Sequence, residues 1–227
     1  MSMDLFHKII DEVVTIPEID MVDFSGIGEP LLDSHIIDRI RYISERSSIR
    51  TQLATNGLLL MPYVHDMLRD AGLYNLNISL NANNPTQHEQ ITGMKGKFDL
   101  VVQNAVHAIR SGKYTSVSAV ITDGFTEEDA KAFVDTWGKS AHYRKEVRVD
   151  SGPPNPMCCW RALCEIYVMY DGTVTPCCFD VFGRQRFGNL NDKTLREIYN
   201  GPEYLRFREA HNDNQADRYV VCQRCPR

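Results

Sequence analysis

The sequence predicts an α/β fold with parallel strand pairing, followed by a small C-terminal module of a different style, and three observations predict it. Over residues 1–150 short strand-like runs alternate with helical periodicities, which implies parallel strands joined by right-handed crossovers, in a (β/α) barrel or a doubly wound sheet. At Ser151-Gly152-Pro153-Pro154-Asn155-Pro156 the alternation breaks, dividing the chain into domains 1–150 and 151–227. Beyond that break lie all seven cysteines of the chain.

Leu5, Ile9, Ile10 and Val13 recur at helical spacing from Asp4, and Pro17 stops the run. Met21 to Ser25 reads as a short strand, ending in the turn Gly26-Ile27-Gly28-Glu29-Pro30. Ser34 is placed to cap a helix carrying Ile36, Ile37, Ile40 and Ile43. Ile49 to Thr55 follows as a strand closed by the Asn56-Gly57 turn signal. The unit then repeats, with a short helix at 62–69, a strand at 74–80, a polar loop at 81–85, a helix around 100–109 and a strand at 116–122. Thr126 and Asp129 form a capping box for a helix bearing Phe133, Val134 and Trp137, and 146–150 is expected to be the last strand of the domain. In the second domain, Asp171-Gly172 between 165–170 and 173–177 is a strong hairpin signal. Thr194 and Glu197 form another capping box, Gly201 ends that helix, and Pro202 opens one bearing Tyr204, Leu205 and Phe207.

Composition excludes several classes. With 227 residues and 43% hydrophobic content the chain can bury a full core. Its net charge of −5 splits into −6 over residues 1–150 and +1 over the rest, with none of the basic striping of a nucleic-acid binder. No apolar run approaches the roughly 20 residues of a membrane span, and Met1-Ser2-Met3-Asp4 does not open a signal peptide. A cytoplasmic, reducing setting is therefore expected, with cysteines serving as metal ligands rather than disulfides. The seven histidines show no His-x3-His spacing and are expected mostly on solvated helix faces, while Tyr167, Tyr170, Tyr199 and Tyr204 are expected to pack the small domain.

Four cysteines make a ligand set, Cys159-x17-Cys177-x44-Cys222-x2-Cys225. A hairpin folds its two ends together, so Cys159 and Cys177 can meet, and the terminal Cys-x-x-Cys supplies two more sulfurs. Four thiolates suit a cubane iron–sulfur cluster or tetrahedral zinc, and spacing alone does not choose. Cys158, Cys164 and Cys178 are surplus, as small buried thiols or alternative ligands.

These residues carry a family resemblance. Cys159-x12-Gly172-x4-Cys177, Pro176-Cys177-Cys178, Gly188-Asn189-Leu190 and the final Cys-x-x-Cys resemble the SPASM/Twitch domain, the auxiliary-cluster module of many radical S-adenosylmethionine enzymes. Phe24-Ser25-Gly26-Ile27-Gly28-Glu29-Pro30 resembles that superfamily's Gly-Gly-Glu-Pro motif, and Thr55-Asn56-Gly57 and Asn77-Ile78-Ser79-Leu80-Asn81 resemble the ends of its third and fourth strands. The resemblance implies a partial (β/α) barrel of radical SAM type, missing its first strand, with a small C-terminal β-hairpin and helix iron–sulfur domain. It implies that Gly26, Gly28, Glu29, Ser79 and Asn81 face S-adenosylmethionine, and that Cys159, Cys177, Cys222 and Cys225 hold one auxiliary 4Fe-4S cluster.

One departure bears on activity. The superfamily's Cys-x3-Cys-x2-Cys loop, which holds the cluster that cleaves S-adenosylmethionine, does not occur in this sequence. S-adenosylmethionine chemistry is expected only where that loop is supplied, from a longer form of which this chain is a fragment or truncation. The sequence reads as an oxidoreductase or modifying enzyme of a peptide or small-molecule substrate, with an electron donor as a further partner. The alternative is a non-catalytic module that binds a cluster or zinc. Neither nucleic acid nor membrane is expected as a partner.

Overall fold

The structure is a computed structural model that describes residues 1–111, 114–145, 159–223 and 225. It forms two compact units, Glu18–Glu146 on one side and Met1–Pro17 with Val147–Arg227 on the other. The helix expected to open the first domain, α1 (Met3–Val13), thus belongs to the C-terminal unit.

The Glu18–Glu146 unit runs β1 (Met21–Asp23), α2 (Ile36–Ser44), β2 (Arg50–Thr55), α3 (Pro62–Asp70), β3 (Asn75–Ser79), α4 (Pro85–Thr92), α5 (Phe98–Ser111), β4 (Thr115–Ile121), α6 (Glu127–Trp137) and β5 (Ala141–Lys145). The five strands form one parallel sheet in sequential order, with Val22 opposite Thr51, Leu53 opposite Leu76 and Ile78 opposite Val117. A doubly wound sheet would reverse its order at a switch point, so the sequential order is that of a barrel wall. Among the described residues β1 pairs with β2 alone.

Strand pleating separates two faces. Leu53, Leu76, Ile78, Val117 and Ala119 are fully or nearly fully buried, and they form one core with Ile40, Leu68, Val101, Ala105, Ala130 and Phe133 of the helices. The alternate residues are polar and bond across the strands. Gln52 Nε2 donates to Asp23 (2.9 Å), Asn75 Nδ2 to Gln52 (3.0 Å), Asn77 Nδ2 to Ser118 Oγ (2.9 Å) and Ser116 Oγ to Asn77 (3.3 Å). A sheet with helices on one face and a ladder of amides and hydroxyls on the other leaves the second face for a polar occupant.

Several expectations are corrected. Ser34 does not cap α2: its N-cap position is His35, which makes no side-chain cap bond, and Asp33 instead accepts from the His35 amide (2.9 Å) and Arg39 Nε (2.8 Å). The polar stretch after residue 81 contains the unexpected α4, held by the Asn84 cap, Pro85 in its first turn and left-handed Gly93 at its end. The last strand is Ala141–Lys145, and the expected 146–150 lies outside the described residues, as does the expected boundary at 151–156.

The other unit adds α7 (Trp160–Cys164), β6 (Tyr167–Val168), β7 (Thr173–Thr175), β8 (Gly188–Asn189), α8 (Leu195–Tyr199), α9 (Pro202–Asn212) and α10 (Val220–Gln223) to α1. The expected hairpin is β6–β7, turning at Gly172 with φ +87°, and β8 joins it as a third antiparallel strand. Both capping boxes are present, at Thr126 and at Thr194. Tyr204 is fully buried, with ring centroids 4.2 Å from Phe187 and 5.2 Å from Tyr199, but Tyr170 is 76% exposed and packs nothing. Helix α1 buries Leu5, Phe6, Ile9, Ile10 and Val13. Its polar side fastens to the module through Lys8 Nζ, which donates to the carbonyls of Leu190 (2.7 Å) and Asn191 (3.0 Å). Among the described residues no helix is long and apolar enough to cross a membrane.

Candidate metal centre and cofactor loop

The metal-ligand candidates reach one place from three separate segments. Cys159 immediately precedes α7, Cys177 follows β7, and Cys222 and Cys225 lie in and after α10, where the Cys225 amide bonds the Cys222 carbonyl (3.1 Å). Cys222 interacts electrostatically with Cys177, Cys225 and Cys159, and Cys177 with Cys225, which puts the other three predicted sulfurs within electrostatic range of Cys222, although no three of the four lie within 4.8 Å of one another. Burial pushes the Cys222 thiol up to about 12 and the Cys177 thiol up to about 11. In the metal-free chain both are therefore thiols, and a metal must displace their protons.

The surroundings suit thiolate ligands. Backbone hydrogen bonds from Phe179 and Asp180 oppose the upward shift of Cys177, the kind of N–H to sulfur contact that stabilises a bound thiolate. Buried Asp180 is itself held by the amides of Arg184 (2.8 Å) and Gln185 (2.9 Å), which shapes the loop after Cys177. On the far side His211 Nε2 lies 3.6 Å from Cys222 Sγ while its Nδ1 sits 2.8 Å from the Phe207 carbonyl. Of the surplus cysteines, Cys164 is exposed, Cys178 is half-buried and interacts with Arg161, and Cys158 lies outside the described residues. The donor set of four cysteines and the amides at Cys177 fit a four-thiolate metal group.

The cofactor-loop candidates lie in the other unit, after β1 and, for Ser79 and Asn81, at and just after the end of β3. Gly26 and Gly28 are exposed, and Gly28 has φ +103°, a conformation that glycine adopts freely. The Glu29 carboxylate does not point outward. One oxygen accepts from Thr55 Oγ1 (2.7 Å) and the Leu31 amide (3.1 Å), and the other accepts from the Asn56 amide (2.8 Å). Glu29 thus fastens the glycine turn to the end of β2. Asn81 plays a similar part after β3: at φ +57°, its side-chain oxygen accepts from the Val120 amide (3.0 Å). The half-buried Ser79 hydroxyl makes no hydrogen bond among the described residues. Nor does Ser25 Oγ, a buried polar atom at the head of the glycine turn that sequence reasoning passed over. A buried, unsatisfied hydroxyl at the head of an exposed glycine turn fits a polar ligand.

The histidines depart from expectation. His65, His88 and His211 are buried, at 3%, 1% and 1% exposure, rather than solvated. His65 and His107 further converge on Asp66.

Comparison with known proteins gives the family. Residues 3–136 match the family model described as the radical SAM superfamily, and residues 158–226 match SPASM, an iron–sulfur cluster-binding domain. An AdoMet-dependent heme synthase of Methanosarcina barkeri is 30% identical over 59% of this chain and 37% of its own length. A GTP 3',8-cyclase of Alkaliphilus metalliredigens is 29% identical over 57% of this chain and 44% of its own. The chain thus spans less than half the length of these relatives. Among solved structures, BtrN in complex with AdoMet and 2-DOIA has a TM-score of 0.71 at 17% identity, covering 100% of this chain and 80% of that one. Native anSMEcpe with bound AdoMet and the Kp18Cys peptide has a TM-score of 0.74 at 16% identity, covering 93% and 75%. At these identities the likeness is one of fold.

Proposed function

We propose, because this chain belongs to the radical SAM superfamily and carries its SPASM module, that it holds one auxiliary 4Fe-4S cluster on Cys159, Cys177, Cys222 and Cys225. The observation that carries the proposal is that the half-buried Cys222 lies within electrostatic range of the other three cysteines, which come from three segments with it. Bound there, the cluster supplies a site for substrate coordination or for one-electron transfer. The protein's part is to deliver four thiolates, to direct the Phe179 and Asp180 amides at Cys177, and to shield Cys177 and Cys222 in part from water.

In the same reading, residues 1–150 are the S-adenosylmethionine-binding part and 151–227 the cluster part. The backbone of Gly26 and Gly28 and the hydroxyls of Ser79 and Ser25 meet the cofactor, while Glu29 and Asn81 hold the loops that present them. Activity as an oxidoreductase or modifying enzyme further requires a Cys-x3-Cys-x2-Cys loop from outside these 227 residues, since every cysteine here lies between 158 and 225. The polar sheet face supports a hydrogen-bonding substrate, a small molecule or a peptide, with an electron donor as partner and a reducing cytoplasmic setting. For comparison, BtrN was solved with 2-DOIA and anSMEcpe with a peptide.

Anaerobic reconstitution of the full chain tests the cluster. About four iron and four sulfide per chain are expected. Cys159→Ser and Cys177→Ser should abolish loading and Cys178→Ser should keep it. One zinc with no labile sulfide, or loss of loading only in Cys178→Ser, would overturn the assignment.

A further inference from the structure

We propose that His65, Asp66 and His107 form a binding site for a divalent transition-metal ion of the zinc class, clipping α3 to α5 in the helix layer of the Glu18–Glu146 unit. One ligand atom from each of the three residues lies within 4.8 Å of the others.

The distances are those of ligands around a metal rather than of hydrogen-bond partners. His65 Nδ1 stands 3.5 Å and His107 Nε2 3.6 Å from the same oxygen, Asp66 Oδ1. Both exceed the 2.7–3.2 Å of ordinary N–H to O bonds. Zinc held at about 2.0–2.2 Å by imidazole nitrogen and carboxylate oxygen separates its tetrahedral ligands by about 3.4 Å. His107 Nε2 is buried and has no hydrogen-bond partner among the described residues, although it faces a carboxylate. The two rings meet edge to face, with centroids 5.5 Å apart at 84°, so their nitrogens converge without the rings stacking. Ser111 Oγ, which donates to the His107 carbonyl (2.7 Å), lies 3.4 Å from His65 Nδ1 and adds a further oxygen at the edge of the group.

The donor set of two imidazoles and one carboxylate selects zinc, cobalt, nickel or copper over magnesium or calcium. Burial lowers the pKa of His65, so its ring is a neutral donor at neutral pH. Access is from solvent: side-chain exposure is 35% for His107 and 42% for Asp66. Beside His107 and Ser111 runs a groove of about 380 Å³, also lined by Val102, Val106 and Arg110. One competitor is present, because Arg69 Nη1 donates to Asp66 Oδ1 at 2.9 Å. Arg69 has a second anchor in Asp70, at 3.1 and 3.0 Å, and can release Asp66 to a metal.

Cobalt(II) titration of the untagged full chain tests this, because cobalt at nitrogen and oxygen ligands gives visible d–d bands without the thiolate charge-transfer absorption that cysteine binding would add. One equivalent of such bands is expected. His107→Gln and Asp66→Asn should each weaken that binding at least about tenfold, the scale of losing a metal-site interaction. Arg69→Gln should tighten it several-fold by removing the competitor, a gain that general damage to the helices would not produce. The proposal is overturned if only thiolate-type absorption appears, if His107→Gln binds cobalt like the parent, or if Arg69→Gln weakens binding.

Discussion

The Glu12 carboxylate of α1 accepts hydrogen bonds from the backbone amides of Leu195 (2.7 Å) and Arg196 (2.9 Å), the first two residues of α8. A negative charge thus meets the amide-rich end of a helix whose own cap, Thr194, already satisfies the Glu197 amide. Glu12→Ala should lower stability by about 1–2 kcal/mol, and Glu12→Gln by less, because an amide keeps one acceptor oxygen. Urea unfolding followed by near-ultraviolet circular dichroism of the Tyr204 aromatic cluster would report it. An unchanged midpoint in Glu12→Ala would show that the contact adds nothing.

Glu29 makes a second prediction. With Thr55, Leu31 and Asn56 all donating to its carboxylate, Glu29→Ala should cost about 2–3 kcal/mol. It should also speed hydrogen exchange at the Leu31 and Asn56 amides while leaving the buried centre of β4 protected. Protection unchanged at Asn56 would mean that the turn is held by its backbone alone.

Thiol reactivity should follow burial. In the metal-free protein at about pH 8, alkylation followed by mass spectrometry should modify exposed Cys164 first and leave Cys177 and Cys222 slow, since their raised pKa values withhold the thiolate. Loading the cluster should then protect Cys159 and Cys225 as well and leave Cys164 reactive. Fast labelling of Cys222 in the metal-free chain would contradict its raised pKa.

Acid stability should reflect His88. Burial pulls its pKa below the ordinary 6.5, and the Met94 backbone offsets that shift only in part. The unfolded chain therefore binds the proton more readily than the folded one. This contribution to stability is complete above pH 6.5 and is lost as pH falls below it toward the folded-state value. His88→Leu should flatten the stability profile below pH 6.5 by up to about 1.4 kcal/mol per pH unit. Chemical denaturation at a series of pH values would measure this, and an equal slope in both proteins would refute it.

Much of this was legible in the chain because it is encoded locally. The α1, α2 and α6 periodicities, both capping boxes and the Asp171-Gly172 hairpin each depend on residues a few positions apart. The spacing of Cys159, Cys177, Cys222 and Cys225 was legible because a hairpin and a Cys-x-x-Cys turn bring ligands together by short-range rules. Helix α4 was missed because its sequence is nearly all polar and its signals are only the Asn84–Pro85 start and the Gly93 stop. The inward fold of Glu29 and the meeting of His65 with His107 were illegible for another reason. Each partnership joins different elements, and nothing in the local pattern of α3 or α5 announces what the neighbouring helix presents.

The allotment of α1 to the C-terminal unit has a consequence for how the chain folds. Residues Glu18–Glu146 are one continuous segment, so that unit can form as soon as it leaves the ribosome. The other unit is built from both ends, and its fasteners, Lys8 to Leu190 and Glu12 to Leu195, close a loop around everything between them. Closing so long a loop is entropically costly unless the intervening segment has already condensed. The cysteine module can therefore be completed only after the chain has been made through α8, whereas nothing in Glu18–Glu146 has to wait for it.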